Sequence, residues 1–220
     1  MSPTNRHPLF ARMYPRIAAW AETHGAAEHR AELLAGVTGR VIEVGAGHGV
    51  NFPHYPHTVT EVVAVEPEPA LRAQAEKAAR ISTVPITVVD GVAEELPAED
   101  ASFDVVVTSL VLCSISDPTA ALGEARRVLR PEGELRFYEH IRAHEQGFAR
   151  YQRAVDLLWP YLAGGCHVSK PTDRTIAEAG FTIDQIRHFR FPSAKAPSSP
   201  CVIGHASPQT PGSQPDPRNP

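Results

Sequence analysis

The chain has 220 residues and a formal net charge of −4, with 21 Lys and Arg against 25 Asp and Glu. That length suits one domain with a full-sized core, and the balance carries no basic footprint for nucleic acid. Three scattered cysteines without a Cys-x-x-Cys pair argue against a disulfide framework and for a reducing cytoplasm. No apolar run approaches the ~20 residues of an integral membrane segment, and the N-terminus lacks a secretory apolar region.

Leu9, Phe10, Met13, Ile17, Trp20 and Ala21 recur near helical spacing over 6–23, with a break or kink expected at Pro15. A second helix over 26–35 stops at Gly36, so residues 1–36 read as a helical cap. From Arg40 the pattern changes. Short β-rich runs at 40–45, 61–66, 86–90, 103–109 and 134–139 alternate with helices around 68–80 and 118–130. Asp117 is a natural N-cap, Pro118 a natural first helical residue, and Leu122, Ala125, Val128 and Leu129 form one apolar face. Arg126, Arg127 and Arg130 read as a solvated face of that helix. Such alternation predicts an α/β domain with a parallel sheet and right-handed crossovers, over 37–207. Its last third reads as helices 148–160 and 172–179, then strands 181–189 and 201–206, which predict an antiparallel pair at the sheet edge. The Pro-rich, apolar-poor stretch 208–220 reads as a disordered tail.

The most informative segment runs from Val41 to Gly49. A β-branched run with Glu43 near its end leads into Gly45, Gly47 and Gly49 at alternate positions. Such glycines let a strand turn sharply while its backbone touches a ligand. The third glycine of a dinucleotide fingerprint would fall at Val50, so the spacing points to a nucleoside without phosphates, with S-adenosylmethionine the obvious candidate. Asn51-Phe52-Pro53-His54-Tyr55-Pro56 leaves room for only about a turn of helix. Glu66, before Pro67, ends the second strand, where a carboxylate can accept both ribose hydroxyls. The plain alternative is a solvated or capping glutamate. Glu43 has the alternative of pinning the loop through backbone amides.

Further on come Asp90 to Pro97, then Ser102-Phe103-Asp104-Val105-Val106-Val107, then Arg127-Val128-Leu129-Arg130-Pro131-Glu132-Gly133. With the glycine loop and Glu66, these five markers in order resemble the class I methyltransferases that use S-adenosylmethionine (SAM), over about residues 36–140. The resemblance implies a Rossmann-like seven-stranded sheet, mostly parallel with an antiparallel C-terminal edge pair, and N-terminal helices acting as a lid. It implies that Glu43, Gly45, Gly47, Gly49, Asn51, Glu66, Pro67, Val92, Ala93 and Leu110 surround the cofactor. Val92 stands where related chains carry an aspartate that contacts adenine, so Val92 and Ala93 enter as wall positions only.

Ser109 to Ile115, Tyr138-Glu139-His140, Trp159-Pro160 and Gly165-Cys166 look like the thiol methyltransferases of the animal methyltransferase-like group and their bacterial relatives. That likeness implies methyl transfer to a small lipophilic thiol, in detoxification or natural-product tailoring. O-, N- or C-methylation of a small molecule or lipid-like acceptor is the second reading, and a non-catalytic SAM-binding protein the third. His140 ends the fifth strand as a candidate base, alone or paired with Glu139; its alternative is a structural histidine. Cys113 faces the expected donor site, or is simply a small buried hydrophobe. Phe10, Tyr14 and Trp159 are candidates to line an acceptor pocket, or to pack the N-terminal helix on the core. His140, His144, Cys166, His167, Cys201 and His205 match no compact zinc spacing, so no metal is expected.

Overall fold

The computed structural model describes residues 8–192 and 198–209. The strands are β1 (Gly39–Val44), β2 (Val59–Val65), β3 (Ile86–Val89), β4 (Phe103–Ser109), β5 (Leu129–His140), β6 (Phe181–Phe191) and β7 (Ser199–Pro208). They form one seven-stranded sheet in the order β3-β2-β1-β4-β5-β7-β6. β1 to β5 pair in parallel, and β7 runs antiparallel to both of its neighbours. After β3 the chain returns to lay β4 on the other side of β1. That reversal opens a crevice at the carboxyl ends of β1 and β4, where ligands bind in open α/β sheets.

The helices are α1 (Pro8–Ala21), α2 (Ala27–Leu34), α3 (Pro69–Ala79), α4 (Pro118–Val128), α5 (Gln146–Val155), α6 (Trp159–Leu162) and α7 (Thr172–Glu178). Successive residues of a strand face opposite sides, and the central strands bury both. Ile42, Val44, Val106 and Phe137 pack with Leu122 and Val128 of α4 and Ile176 of α7. Val41, Val62, Val105 and Val107 pack on the other face with Leu33 and Leu34 of α2 and Ala75 of α3.

Several elements depart from expectation. α1 continues through Pro15, held by the burial of Ala11 and Ala18. The break comes at His24 and Gly25, where Gly25 has φ +108°. The helix expected over 148–160 is two, since Pro160 cannot continue a helix and Asp156 is held by the amides of Val168 and Ser169. The late strands do pair antiparallel, but β7 lies inside the sheet and only β6 is an edge. Arg127 is not part of a solvated face. It donates to the carbonyls of Leu96 and Ala98 and to Asp100 and Glu124, tying the loop after β3 to α4. Asp117 caps α4 as expected, its side chain accepting from the Ala120 amide. Pro208 still belongs to β7; the rest of the expected tail lies outside the described residues.

Candidate active site

The glycine loop leaves β1 with φ +68° at Gly45, +59° at Gly47 and +87° at Gly49. L side chains rarely adopt these angles. A Cβ at Gly45 would also lie 2.2 Å from Val111 Cγ2 in the loop after β4. The truncated helix is a single 3₁₀ turn, Phe52–His54, which follows from the two prolines around it.

Glu66 reaches back into this loop. Its Oε2 accepts from the Gly47 amide at 2.7 Å and its Oε1 from the Glu68 amide at 2.9 Å. A carboxylate has about four acceptor positions, so those two bonds leave room for two hydroxyls. Burial pushes the Glu66 carboxyl up to about 7, against the pull of the two backbone donors. In the same loop, His48 Nδ1 is buried without a partner among the described residues. A positive-φ cradle, a carboxylate with spare lone pairs and an unpartnered imidazole nitrogen together fit a nucleoside.

Glu43 does not pin the loop through backbone amides, as one reading had it. It accepts from Asn51 Nδ2 at 2.8 Å and from the Tyr55 hydroxyl at 2.7 Å. Asn51 Oδ1 in turn accepts from Arg30 Nη1 at 2.8 Å, and the same guanidinium donates to Ser109 Oγ and Glu22 Oε1. Arg30 is 3% exposed. The sequence reading missed it, although it occupies an apolar-stripe position with Leu33, Leu34 and Val37. Burial pushes Glu43 up to about 7, with Tyr55 and Asn51 opposing. Glu43 and Asn51 thus shape the loop that Gly45 and Gly47 present.

α1 lies across the loop. A Cβ at Gly47 would meet Tyr14 Cε1 at 3.1 Å, and a Cβ at Gly164 would meet the Phe10 ring at 2.6 Å. Phe10 and Tyr14 pack 5.0 Å apart, and Tyr14 meets His48 edge-on. Burial raises the Tyr14 hydroxyl's pKa, with Arg30 opposing. Trp159 begins α6, 43% exposed, among exposed Leu157, Leu158, Tyr161 and Leu162. Val92 is exposed, Ala93 buried, and Asp90 pairs with Arg72. Leu110 turns the chain after β4 with φ +57°, its amide donating to the Tyr138 carbonyl.

Glu139 and His140 do not pair, because neighbours on a strand point to opposite faces. Glu139 is fully buried and accepts from the amides of Val111, Leu112 and Cys113 at 3.1, 3.0 and 3.4 Å, fixing the loop after β4. His140 faces sulfur instead. Its Nδ1 lies 3.7 Å from Cys113 Sγ and 3.5 Å from Cys166 Sγ, and the two sulfurs are 3.3 Å apart. Cys113 is thus buried, as a small hydrophobe would be, yet in contact with a titratable group. Its contact with Cys166, followed by burial, pushes its thiol well above the ordinary range. Burial alone would lower His140, but the Cys113 sulfur and the Glu139 carboxylate raise it.

Residues 42–137 match the family model of a methyltransferase domain. Thiol S-methyltransferase TMT1B of Rattus norvegicus is 33% identical over 172 residues, covering 76% of this chain and 69% of that protein. Phosphatidylethanolamine N-methyltransferase of Cereibacter sphaeroides is 30% identical, over 53% of this chain and 58% of its own. The YcgJ protein of Bacillus subtilis superposes with a TM-score of 0.67 at 16% identity, covering 86% of this chain and 99% of that one. Fold and site therefore define a class I methyltransferase. The chain belongs to the SAM-dependent methyltransferase family, with TMT1B among its relatives. SAM is its methyl donor, supplying a methyl group already activated on a sulfonium. Among the described residues no helix is long and apolar enough to cross a membrane.

Proposed function

We propose that the enzyme S-methylates a small lipophilic thiol. The observation that carries this reading is the environment of His140. It meets two thiols and no carboxylate partner, because Glu139 is committed to backbone amides. An imidazole alone suits a thiol of pKa about 8.5, a few per cent of which is already thiolate at neutral pH. An unactivated alcohol would need a stronger base. The 33% identity to TMT1B supports the same acceptor.

In this reading Glu66 holds the ribose, the glycine loop and the Glu43–Asn51–Arg30 chain hold its surroundings in place, and Val92 and Ala93 wall the adenine side. Phe10 and Tyr14 close over the reacting centre and exclude water. His140 accepts the proton of the incoming thiol beside Cys113. The protein's main contribution is alignment for in-line displacement.

The test is a panel of alkyl and aryl thiols run with SAM beside matched phenols and amines, following the methylated products. Thiol products confirm the reading; products from phenols or amines but from no thiol overturn it. The match to phosphatidylethanolamine N-methyltransferase supports a second reading, methylation of a lipid amine, which that outcome would select.

A further inference from the structure

Cys113 comes from the loop after β4, His140 from the end of β5, and Cys166 from the loop after α6. Sequence separations of 26, 27 and 53 residues hid their meeting from any spacing argument. In the fold their ligand atoms converge within 3.3–3.7 Å. Tetrahedral zinc, with bonds of about 2.3 Å to sulfur and about 2.0 Å to nitrogen, separates its ligands by about 3.5 Å for S···N and about 3.8 Å for S···S. The S···N distances of 3.5 and 3.7 Å agree to within about 0.2 Å, and the sulfurs, 3.3 Å apart, need to part by about half an ångström. The groups are also preorganised. Glu139 holds the Cys113 amide, the His167 amide donates to the Cys113 carbonyl, and Thr172 Oγ1 donates to the His140 carbonyl. Val155, Ala163 and Val168 wall the cluster, and Lys170, Asp156 and Glu139 are its charged neighbours.

We propose that Cys113, His140 and Cys166 bind a soft divalent cation, zinc by preference, as three protein ligands with a fourth position left for the acceptor sulfur. Two thiolates and a neutral imidazole suit zinc, and three protein ligands are the pattern of catalytic sites. Val111, two residues before Cys113, lies against Gly45, and Gly164, two residues before Cys166, lies against Phe10 of α1, so the cluster is close to the donor loop and its helical cover. The catalytic part rests on the S-methylation reading. A coordinated thiol loses its proton outright, so the cation takes over from His140 the task of making thiolate. The proton leaves to solvent, the acceptor sulfur bonds to the methyl carbon, and the sulfonium's sulfur–methyl bond breaks. Both sulfurs end as neutral thioethers.

Cobalt(II) titration of the full chain, reduced with a phosphine, tests the site directly. The expected result is one cobalt per chain with sulfur-to-cobalt charge transfer and tetrahedral visible bands, displaced by zinc. Cys113→Ser and Cys166→Ser, which nearly keep the side-chain volume, should each lower the charge transfer by about half or more and the double variant should abolish it, whereas Cys201→Ala should retain it. A folded wild-type chain with all three thiols free that binds no cobalt overturns the site, as do unchanged spectra in both serine variants. Chelation followed by zinc reconstitution should lower and restore thiol turnover at least tenfold; unchanged turnover overturns the catalytic part. Cobalt bound in the expected way by a chain that methylates amines but no thiol would sink S-methylation and leave the metal site standing.

Discussion

The two ends of the site are built differently. The donor end rests on strand ends: Gly45, Gly47 and Gly49 after β1 and Glu66 after β2, braced by Arg30, Asn51 and Glu43. The proposed acceptor end gathers α1, the loop after β4, the end of β5 and the loop after α6. One is a hydrogen-bonded frame of neighbouring strands, and the other is a meeting of distant loops. On the proposed reading, donor binding rests on the sheet itself, while acceptor choice rests on how the loops after β4 and α6 and helix α1 come together.

The largest effect that separates the two should follow from Arg30→Ala. It strands Glu22, Asn51 and Ser109, and breaking a buried ion pair from one side costs about 3–5 kcal/mol. Thermal unfolding should show that loss, and a change below about 1 kcal/mol would mean the frame is not held there. His140→Ala should lower thiol turnover by about 10²-fold, since it removes the group that makes thiolate, directly as a proton acceptor or as a ligand of the cation that does so, with SAM affinity intact by calorimetry. Equal losses in both would erase the distinction between the ends. Glu66→Ala should weaken SAM binding by about 30-fold, on the order of 2 kcal/mol for charge-assisted hydrogen bonds, whatever the acceptor.

A pH series sharpens the donor end further. On the proposed reading, ribose hydroxyls donate best to ionised Glu66, whose carboxyl burial pushes up to about 7. SAM affinity should therefore rise as pH climbs through about 7, and Glu66→Gln should flatten that rise. Stability of the ligand-free protein runs the other way. The folded state keeps this proton above the ordinary value of 4.5, so the contribution is full below about 4.5 and falls toward pH 7. The smallest effect belongs to Trp159→Ala, which should move stability by less than about 1 kcal/mol, since the residue is 43% exposed at the surface.

The sequence made the donor end legible because its residues are consecutive or close a single βα unit. Gly45 to Gly49 and Glu66 needed no knowledge of what lay across the sheet. Contacts between distant segments were not legible. Glu139 and His140 looked like a dyad because they are adjacent, yet adjacency on a strand sends them to opposite faces. The meeting of Cys113 with Cys166 depends on how α6 and its loop fold back. The position of β7 had a visible sign that went unused. Cys201-Val202-Ile203 is a continuous apolar run, as an inner strand needs, whereas β6 spaces Phe181, Ile183 and Ile186 among polar residues as an edge does.

α1 rests on both loops at once, with Tyr14 against Gly47 and Phe10 against Gly164. A rigid helix cannot lift from one of these supports without loosening the other. On the proposed reading, donor and acceptor then share a single door, and exchange of spent cofactor and departure of methylated product become coupled events.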